Sequence, residues 1–248
     1  MEYIISFVFG ITIGSFLNVC IYRIPKGESI VYPPSHCPRC NYQLKAWDLI
    51  PILSYILLQG KCRKCGVKIS WRYQLIELLT GIIFVLMVYK YGFNFTALFY
   101  CLFSASLIVV IFIDLDHLLI PNSVVLVILI LGLGLHIFVR PFSIINALGT
   151  FLGVGAFFLL LQILSRGGLG GGDVKLVASL GLWLGWPDTG LAIFLGSFIG
   201  SIIGIVLILL KIKKRKDPIP YGPFLIVGTL IVLFAGEKIW QWYQNLIS

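Results

Sequence analysis

Eight apolar segments, separated by polar connections, dominate this sequence. Hydrophobic residues make up 59% of its 248 residues and charged residues only 12%, whereas about a quarter of a soluble domain is charged. Most segments reach or approach the roughly 20 residues that a helix needs to cross a bilayer. They cover residues 3–22, 73–89, 95–113, 121–139, 144–165, 176–187, 189–210 and 223–243. The sequence therefore predicts an all-α polytopic membrane protein with about eight transmembrane helices in the lipid bilayer.

Positive charge is concentrated in alternate connections between these segments. Sixteen of the 19 Lys and Arg residues lie in residues 23–72, 166–175 and 211–216. The other three are Lys90, Arg140 and Lys238. Since basic loops stay in the cytoplasm, an even number of spans places both termini outside and the basic loops inside. We also expect no cleavable signal peptide, and we attribute the net charge of +9 to membrane orientation, with no nucleic-acid partner.

The sizeable polar segment suggests three parts of the chain. Residues 1–22 are predicted to form the first transmembrane helix, and residues 23–72 a small cytoplasmic loop domain. Residues 73–248 are predicted to form a transmembrane core. The loop domain is too short to fold on an apolar core alone, so we expect it to be stabilised by a metal or by disulfides.

Four cysteines in the loop form two C-x-x-C pairs, Cys37 with Cys40 and Cys62 with Cys65. Paired C-x-x-C motifs near this spacing are typical of a four-thiolate structural zinc site. Two disulfides are the alternative, but disulfides rarely persist in the reducing cytoplasm. We therefore predict a structural zinc ion that holds the loop together. Cys20 and Cys101 lie inside apolar segments and receive no role.

Two aspartates occupy positions where carboxylates are costly. Asp114 closes the third apolar segment, and Asp173 precedes the sixth, directly after a glycine-rich run at 167–172. Ionisable groups at membrane depth usually mark function, and the predicted topology brings both carboxylates to the same membrane level. Two neighbouring carboxylates can hydrolyse a peptide, because one activates water while the other, protonated, polarises the carbonyl. Their acid and base roles stay unassigned, since such a pair titrates together.

Other interpretations of these residues remain open. Asp114, Asp116 and His117 could bind a metal, and Asp114 with Asp173 could carry protons in a transporter or channel. Glu77, an acid inside the second segment, is either a paired structural residue or part of a site. We expect His136 to be a hydrogen-bonded packing residue. The four-residue repeat of Gly196, Gly200 and Gly204 predicts a face for close helix packing.

Several motifs together resemble the bacterial type IV prepilin peptidases. They are Gly14-Ser15-Phe16-Leu17-Asn18-Val19, Tyr22-Arg23-Ile24-Pro25, the two C-x-x-C pairs, Ile50-Pro51-Ile52-Leu53-Ser54-Tyr55, Asp114 before Ile120-Pro121-Asn122, and Gly170-Gly171-Gly172-Asp173-Val174-Lys175. The resemblance covers nearly the whole chain. It implies a Gly-x-Gly-Asp aspartyl protease of the bacterial cell membrane, with Asp114 and Asp173 as the catalytic residues.

The resemblance also implies the substrates and a second activity. Family members cleave type IV prepilin or pseudopilin precursors after a glycine and methylate the new N-terminus with S-adenosylmethionine. No residue is assigned to the methyl donor. Leu49 stands where many relatives carry Asn, in the loop linked to methyl transfer, so a peptidase without methyltransferase activity is an alternative.

Overall fold

The structure, a computed structural model, describes residues 1–165, 168–215 and 217–247. Arg166, Gly167 and Lys216, which belong to the basic and glycine-rich runs noted above, lie outside these ranges. The α-helices of the described residues are α1 (Glu2–Arg23), α2 (Leu53–Leu57), α3 (Arg72–Tyr91), α4 (Phe95–His117), α5 (Asn122–Phe138), α6 (Ile144–Leu164), α7 (Gly171–Leu184), α8 (Asp188–Leu209) and α9 (Gly222–Ile247). β-Pairing in these ranges is limited to two isolated bridges, so the all-α prediction is confirmed.

Each predicted apolar segment coincides with a helix. In the part of the chain that the structure describes, six helices are long and apolar enough to cross a membrane: α1, α3, α4, α6, α8 and α9. α5 has 17 residues and α7 has 14, so the count of eight spans stays a prediction. α7 ends at Leu184 because Gly185 adopts a left-handed φ of 67°, and α8 begins directly after Pro187.

The chain divides into two compact units, Met1–Val109 and Val110–Ser248. In the first unit, α1 packs against α3 along small residues. A Cβ at Gly10 would lie 2.7 Å from the Cα of Gly81, and a Cβ at Gly14 would lie 2.7 Å from the Cα of Glu77. The two backbones approach this closely because glycine has no side chain.

The second unit is built around α7, which packs against α5, α6, α8 and α9. Most of α7 is buried, and two polar contacts tie it to α5. The Trp183 indole donates to the Ile128 carbonyl at 2.9 Å, and His136 Nε2 lies 2.9 Å from the Leu182 carbonyl oxygen. The prediction of a hydrogen-bonded packing role for His136 is confirmed.

Helices α8 and α9 pack closely through glycines. A Cβ at Gly196 would lie 2.8 Å from the Cα of Leu225, and one at Gly200 would lie 3.0 Å from the Phe224 ring. Gly228 of α9 faces Gly196 in return. Gly204 makes only an ordinary contact, 3.5 Å from Ile219. The predicted packing face is confirmed at its first two glycines.

Candidate active site and metal centre

Asp114 is a buried carboxylate near the end of α4, with 5% of its surface exposed. Its Oδ2 accepts a hydrogen bond of 3.1 Å from the backbone N–H of Gly222, the first residue of α9. The first N–H groups of a helix lack partners within it, and the helix dipole favours negative charge there. The N–H groups of Phe224 and Leu225 donate to the Tyr221 carbonyl. The Gly222 N–H is thus the donor with which α9 holds Asp114.

Asp173 also lies at a helix N-terminus. It is the third residue of α7, and Gly170 is the N-cap. Its half-buried carboxylate lies against Gly170 at the first turn of α7, where the unpaired N–H groups of a helix favour a negative charge. A Cβ at Gly170 would lie 2.8 Å from Asp173 Oδ2. Glycine at this position therefore leaves room for the carboxylate.

The structure brings the two carboxylates close enough for the charge of Asp114 to act on Asp173. Ile120 contacts both helix N-termini that hold them. Its Cβ would lie 2.9 Å from a Cβ at Gly172, and its Cδ1 would lie 3.3 Å from a Cβ at Gly222. Side chains at these glycines would separate the elements that carry the aspartates. The two carboxylates thus lie at neighbouring helix N-termini in different settings, which suits the different acid and base roles of two-carboxylate hydrolysis.

A small cavity is lined by Tyr221 and by Leu169 of the segment just before α7, near the end of α7 that carries Asp173. The Tyr221 hydroxyl is 3.0 Å from Ser197 Oγ, and both residues line a cavity of about 420 Å³. Burial raises the pKa of the Tyr221 phenol, the hydrogen bond with Ser197 lowers it, and the charge of Asp173 raises it further. The net pKa is above the ordinary value, so the hydroxyl stays protonated. Tyr221 and Gly222 were not predicted as site residues, because the Gly222-Pro223 pair marks the start of the last apolar segment but gives no sign of the contact with Asp114.

The remaining polar residues near the aspartates are exposed. Asp116 and His117 lie on the surface at the end of α4, and among the described residues only the four loop cysteines form a group suited to a metal. The alternative of a metal at Asp114, Asp116 and His117 therefore has no support. Lys175 is exposed as well, and its Nζ donates to Oδ1 of exposed Asn122 at 2.9 Å.

The four loop cysteines converge on one point. All four sulfur atoms lie within 4.8 Å of one another, with 3.8 Å between Cys37 and Cys65 and 4.0 Å between Cys40 and Cys62. A disulfide requires about 2.05 Å, and all four cysteines are free. Metal–sulfur bonds of about 2.3 Å in a tetrahedron give sulfur–sulfur edges of about 3.8 Å. The cluster could therefore hold a tetrahedral metal ion.

Both C-x-x-C pairs are presented by the same backbone turn. The N–H of Cys37 donates to Tyr42 and the N–H of Cys62 donates to Val67, each at 2.9 Å. The residue after each second cysteine is left-handed, with φ of 52° at Asn41 and 69° at the matching glycine after Cys65. Repetition of one turn explains why two distant pairs present four sulfurs to one point.

The thiols of one turn differ in their readiness to ionise. The N–H groups of Cys40 and Arg39 point at the Cys37 sulfur and lower its pKa to about 6. The Tyr42 N–H lowers the pKa of Cys40, but burial and neighbouring sulfurs raise it to about 11. Because thiolates repel one another, four of them need a bound cation to remain ionised together.

Asp48 connects the two cysteine turns. This role was not predicted from the sequence. Its side chain is 1% exposed and forms an ion pair of 2.7 Å with Arg63. It also accepts hydrogen bonds of 3.2 Å from the Tyr42 hydroxyl and from the Lys45 N–H. Burial raises the pKa of Asp48, but Arg63 and these donors bring it below the ordinary value. The carboxylate is therefore ionised at neutral pH and joins both cysteine turns.

Glu77 connects the loop to the helices of the first unit. Its carboxylate accepts a 2.8 Å hydrogen bond from the Ile52 N–H, and Ser15 of α1 lies near it. Asn18, from the same motif as Ser15, donates to the Tyr73 carbonyl at 3.1 Å. Glu77 is thus a partnered residue, and these motifs hold the loop against α1 and α3.

The fold and the site define a class of protein: a polytopic helical membrane protein with two interacting carboxylates and a four-cysteine loop. A family model described as the Type IV leader peptidase family matches residues 101–205. A second, described as the Bacterial Peptidase A24 N-terminal domain, matches residues 8–91. No solved structure matches the chain.

Full-length relatives carry the same assignment. Proteins named prepilin leader peptidase/N-methyltransferase match from Aeromonas salmonicida at 35% identity, covering 97% of this chain and 93% of the relative, from Pseudomonas aeruginosa at 34%, covering 96% and 92%, and from Neisseria gonorrhoeae at 36%, covering 94% and 91%. The chain belongs to the type IV leader peptidase family. The resemblance inferred from its motifs is confirmed.

Proposed function

We propose that this chain is a membrane aspartyl endopeptidase that removes the leader from type IV prepilin-like precursors after a glycine and N-methylates the new N-terminus. The observation that carries the proposal is the pair Asp114 and Asp173: Asp114 accepts a hydrogen bond from the first N–H of α9, and Asp173 lies in the first turn of α7. The full-length relatives support it, since their name contains both activities. They do not favour a proton-coupled transporter, although a transporter could use the same carboxylates.

The two carboxylates supply the proton transfers of peptide hydrolysis. The ionised carboxylate takes a proton from water, whose oxygen attacks the scissile carbonyl carbon. The protonated carboxylate gives its proton to the carbonyl oxygen and stabilises the tetrahedral intermediate. When the C–N bond breaks, the nitrogen receives the proton that the first carboxylate took from water and leaves as the new N-terminal amine, while a hydroxyl of the intermediate returns a proton to the second carboxylate. One water molecule is consumed, and each aspartate is available for the next turnover once protons equilibrate with solvent.

The site is proposed to face the cytoplasm. The support is the asymmetry of Lys and Arg between alternate connections, which places Asp114, Asp173 and the cysteine loop on one side. Single cysteines at Lys90 and Arg140 should react with an impermeant reagent from outside, and one at Lys214 only after permeabilisation. The reverse labelling pattern would contradict this orientation.

The loop at residues 23–72 is proposed to hold a structural zinc ion through Cys37, Cys40, Cys62 and Cys65. Four thiolates complete the coordination of zinc and leave no position for water, so the ion stabilises the loop and takes no part in hydrolysis. Residues 73–248 are proposed to form the peptidase core.

Methyl transfer requires a donor, proposed to be S-adenosylmethionine. The described residues contain two isolated bridges and no extended strand, so a strand–turn–helix nucleotide site is absent from them. We therefore assign no residue to donor binding and derive no step through it.

The experiment combines the purified full-length chain with a prepilin precursor and follows the precursor by mass spectrometry. We expect a mass loss equal to the leader without S-adenosylmethionine, and one additional methyl group when it is present. An intact precursor would refute the peptidase assignment. Leader removal without methylation would refute the methyltransferase half and leave a peptidase-only family member.

A further inference from the structure

A groove of about 880 Å³ runs between α6 and α8 in the second unit. Its lining is mostly apolar and includes Asn146, Gly149, Gly153, Phe157, Trp186 and Ile193. One end is closed, because Asn146 exchanges hydrogen bonds of 3.0 Å and 2.7 Å with the backbone of Trp186. A Cβ at Gly149 or Gly153 would meet no atom within 4 Å. At these two glycines the α6 backbone itself forms the wall of the groove, with no side chain covering it.

The other end of the groove leads toward the aspartates. Phe158 lines both this groove and the cavity of about 420 Å³ that contains Ser197 and Tyr221. Tyr221 in turn lies within electrostatic range of Asp173. Along α6 the lining residues of the groove end at Phe158 and those of the cavity continue to Leu161, and along α8 they run from Gly190 and Ile193 in the groove to Ser197 in the cavity. The groove and the cavity thus form one path along α6 to the candidate active site.

The helices that border this path are open to the surroundings. Of the six helices able to cross a membrane, α6 and α8 are the least buried, each with 17% of its most apolar window covered. Both pack on α7 and scarcely on each other. α7 has 14 residues, about 21 Å of helix, and is shorter than either neighbour. A short helix between two long ones leaves space open to the bilayer.

We propose that the groove binds an apolar transmembrane helix of the substrate, with the cleaved peptide bond in the smaller cavity beside Asp173. The inference rests on the proposed peptidase function. The groove lies on the two least buried membrane-capable helices and leads to the cavity near Asp173, so an apolar segment joined covalently to the scissile bond can lie in it. Open glycine backbone allows a second helix to approach closely. A helix is about 10 Å wide, so it would insert one face and expose the other to lipid.

The test fills the groove without disturbing the fold. Gly149→Leu with Gly153→Leu places two side chains in open space, whereas Leu152→Phe adds bulk to the same helix outside the groove. We measure KM and kcat for a full-length precursor and for a short peptide that spans its cleavage site but lacks the apolar helix. For the glycine double variant, the full-length KM should rise about tenfold, and the preference for precursor over peptide should fall by a similar factor. Leu152→Phe should keep both wild-type values.

The outcomes separate this inference from the proposed function. Failure of the wild type to cleave the precursor would refute both. Cleavage by the wild type together with an unchanged full-length KM in the double variant would refute the groove alone. A photo-cross-linker placed at Gly153 provides an independent measurement. Adducts with the apolar helix of the precursor would support the proposal, and adducts only with lipid or a second copy of the chain would overturn it.

Discussion

Replacement of Gly222 by alanine should reduce catalysis without unfolding the protein. The new Cβ would lie 2.7 Å from Asp114 Oδ2, where carbon and oxygen normally keep at least about 3.3 Å. Either the carboxylate or the start of α9 must move by about 0.6 Å, which weakens the hydrogen bond between the Gly222 N–H and Asp114. A hydrogen bond to a charged group contributes about 1.5–3 kcal/mol. The expected fall in kcat is therefore about 10- to 100-fold.

Steady-state cleavage of a prepilin precursor by Gly222→Ala and by the wild type measures this effect. The loss should appear in kcat more than in KM, because the hydrogen bond positions a reacting group. Gly204→Ala is the matched control: its Cβ would lie 3.5 Å from Ile219, an ordinary contact. The thermal unfolding temperature in detergent should match the wild type for Gly204→Ala and fall by about 3–12 °C for Gly222→Ala, so both proteins stay folded in the assay. A folded Gly222→Ala protein with kcat within about twofold of the wild type would refute the reasoning.

Further predictions concern the cysteine loop. The double substitution Cys37→Ser and Cys40→Ser should release about one zinc ion per chain, because it removes two of the four thiolates, and it should loosen the loop, because metal binding energy is also folding energy. Absence of zinc and other divalent ions from the purified wild type would contradict the four-thiolate site. Asp48→Ala should lower the unfolding free energy of the loop by about 1–3 kcal/mol, measured by hydrogen exchange. Exposed Lys64→Ala is its control, and equal protection in both variants would exclude the proposed connection by Asp48.

The helices of this protein could be predicted from the sequence because each is a continuous apolar run. All eight runs coincide with helices, although α7 begins at Gly171 and ends at Leu184, offset from the predicted residues 176–187. The offset arises because Asp173 and the preceding glycines form the first turn of α7. A prediction based on apolar runs leaves out the polar residues that cap a helix.

The site could be predicted in part. The four cysteines were identifiable from their spacing, since each C-x-x-C pair is local and its turn is short. The part played by Gly222 was hidden because it depends on a backbone N–H, which is identical in every residue except proline. The role of Asp48 could not be predicted either, because it depends on contacts with Arg63 and Tyr42, which only the fold brings together. Sequence patterns indicate side-chain chemistry, but contacts between distant segments require the fold.

The central claim is that Asp114 and Asp173 together cleave the precursor. The most direct test compares Asp114→Asn, Asp173→Asn and Asp116→Asn with the wild type in the mass-spectrometric cleavage assay. Each of the first two variants should leave the precursor intact, because an amide supplies neither the base nor the acid, while Asp116→Asn, from an exposed position, should still cleave it. Full cleavage by Asp114→Asn or Asp173→Asn would contradict the assignment of both aspartates as catalytic residues. Loss of cleavage in Asp116→Asn, with activity retained in Asp114→Asn, would assign the catalytic role to Asp116 in place of Asp114.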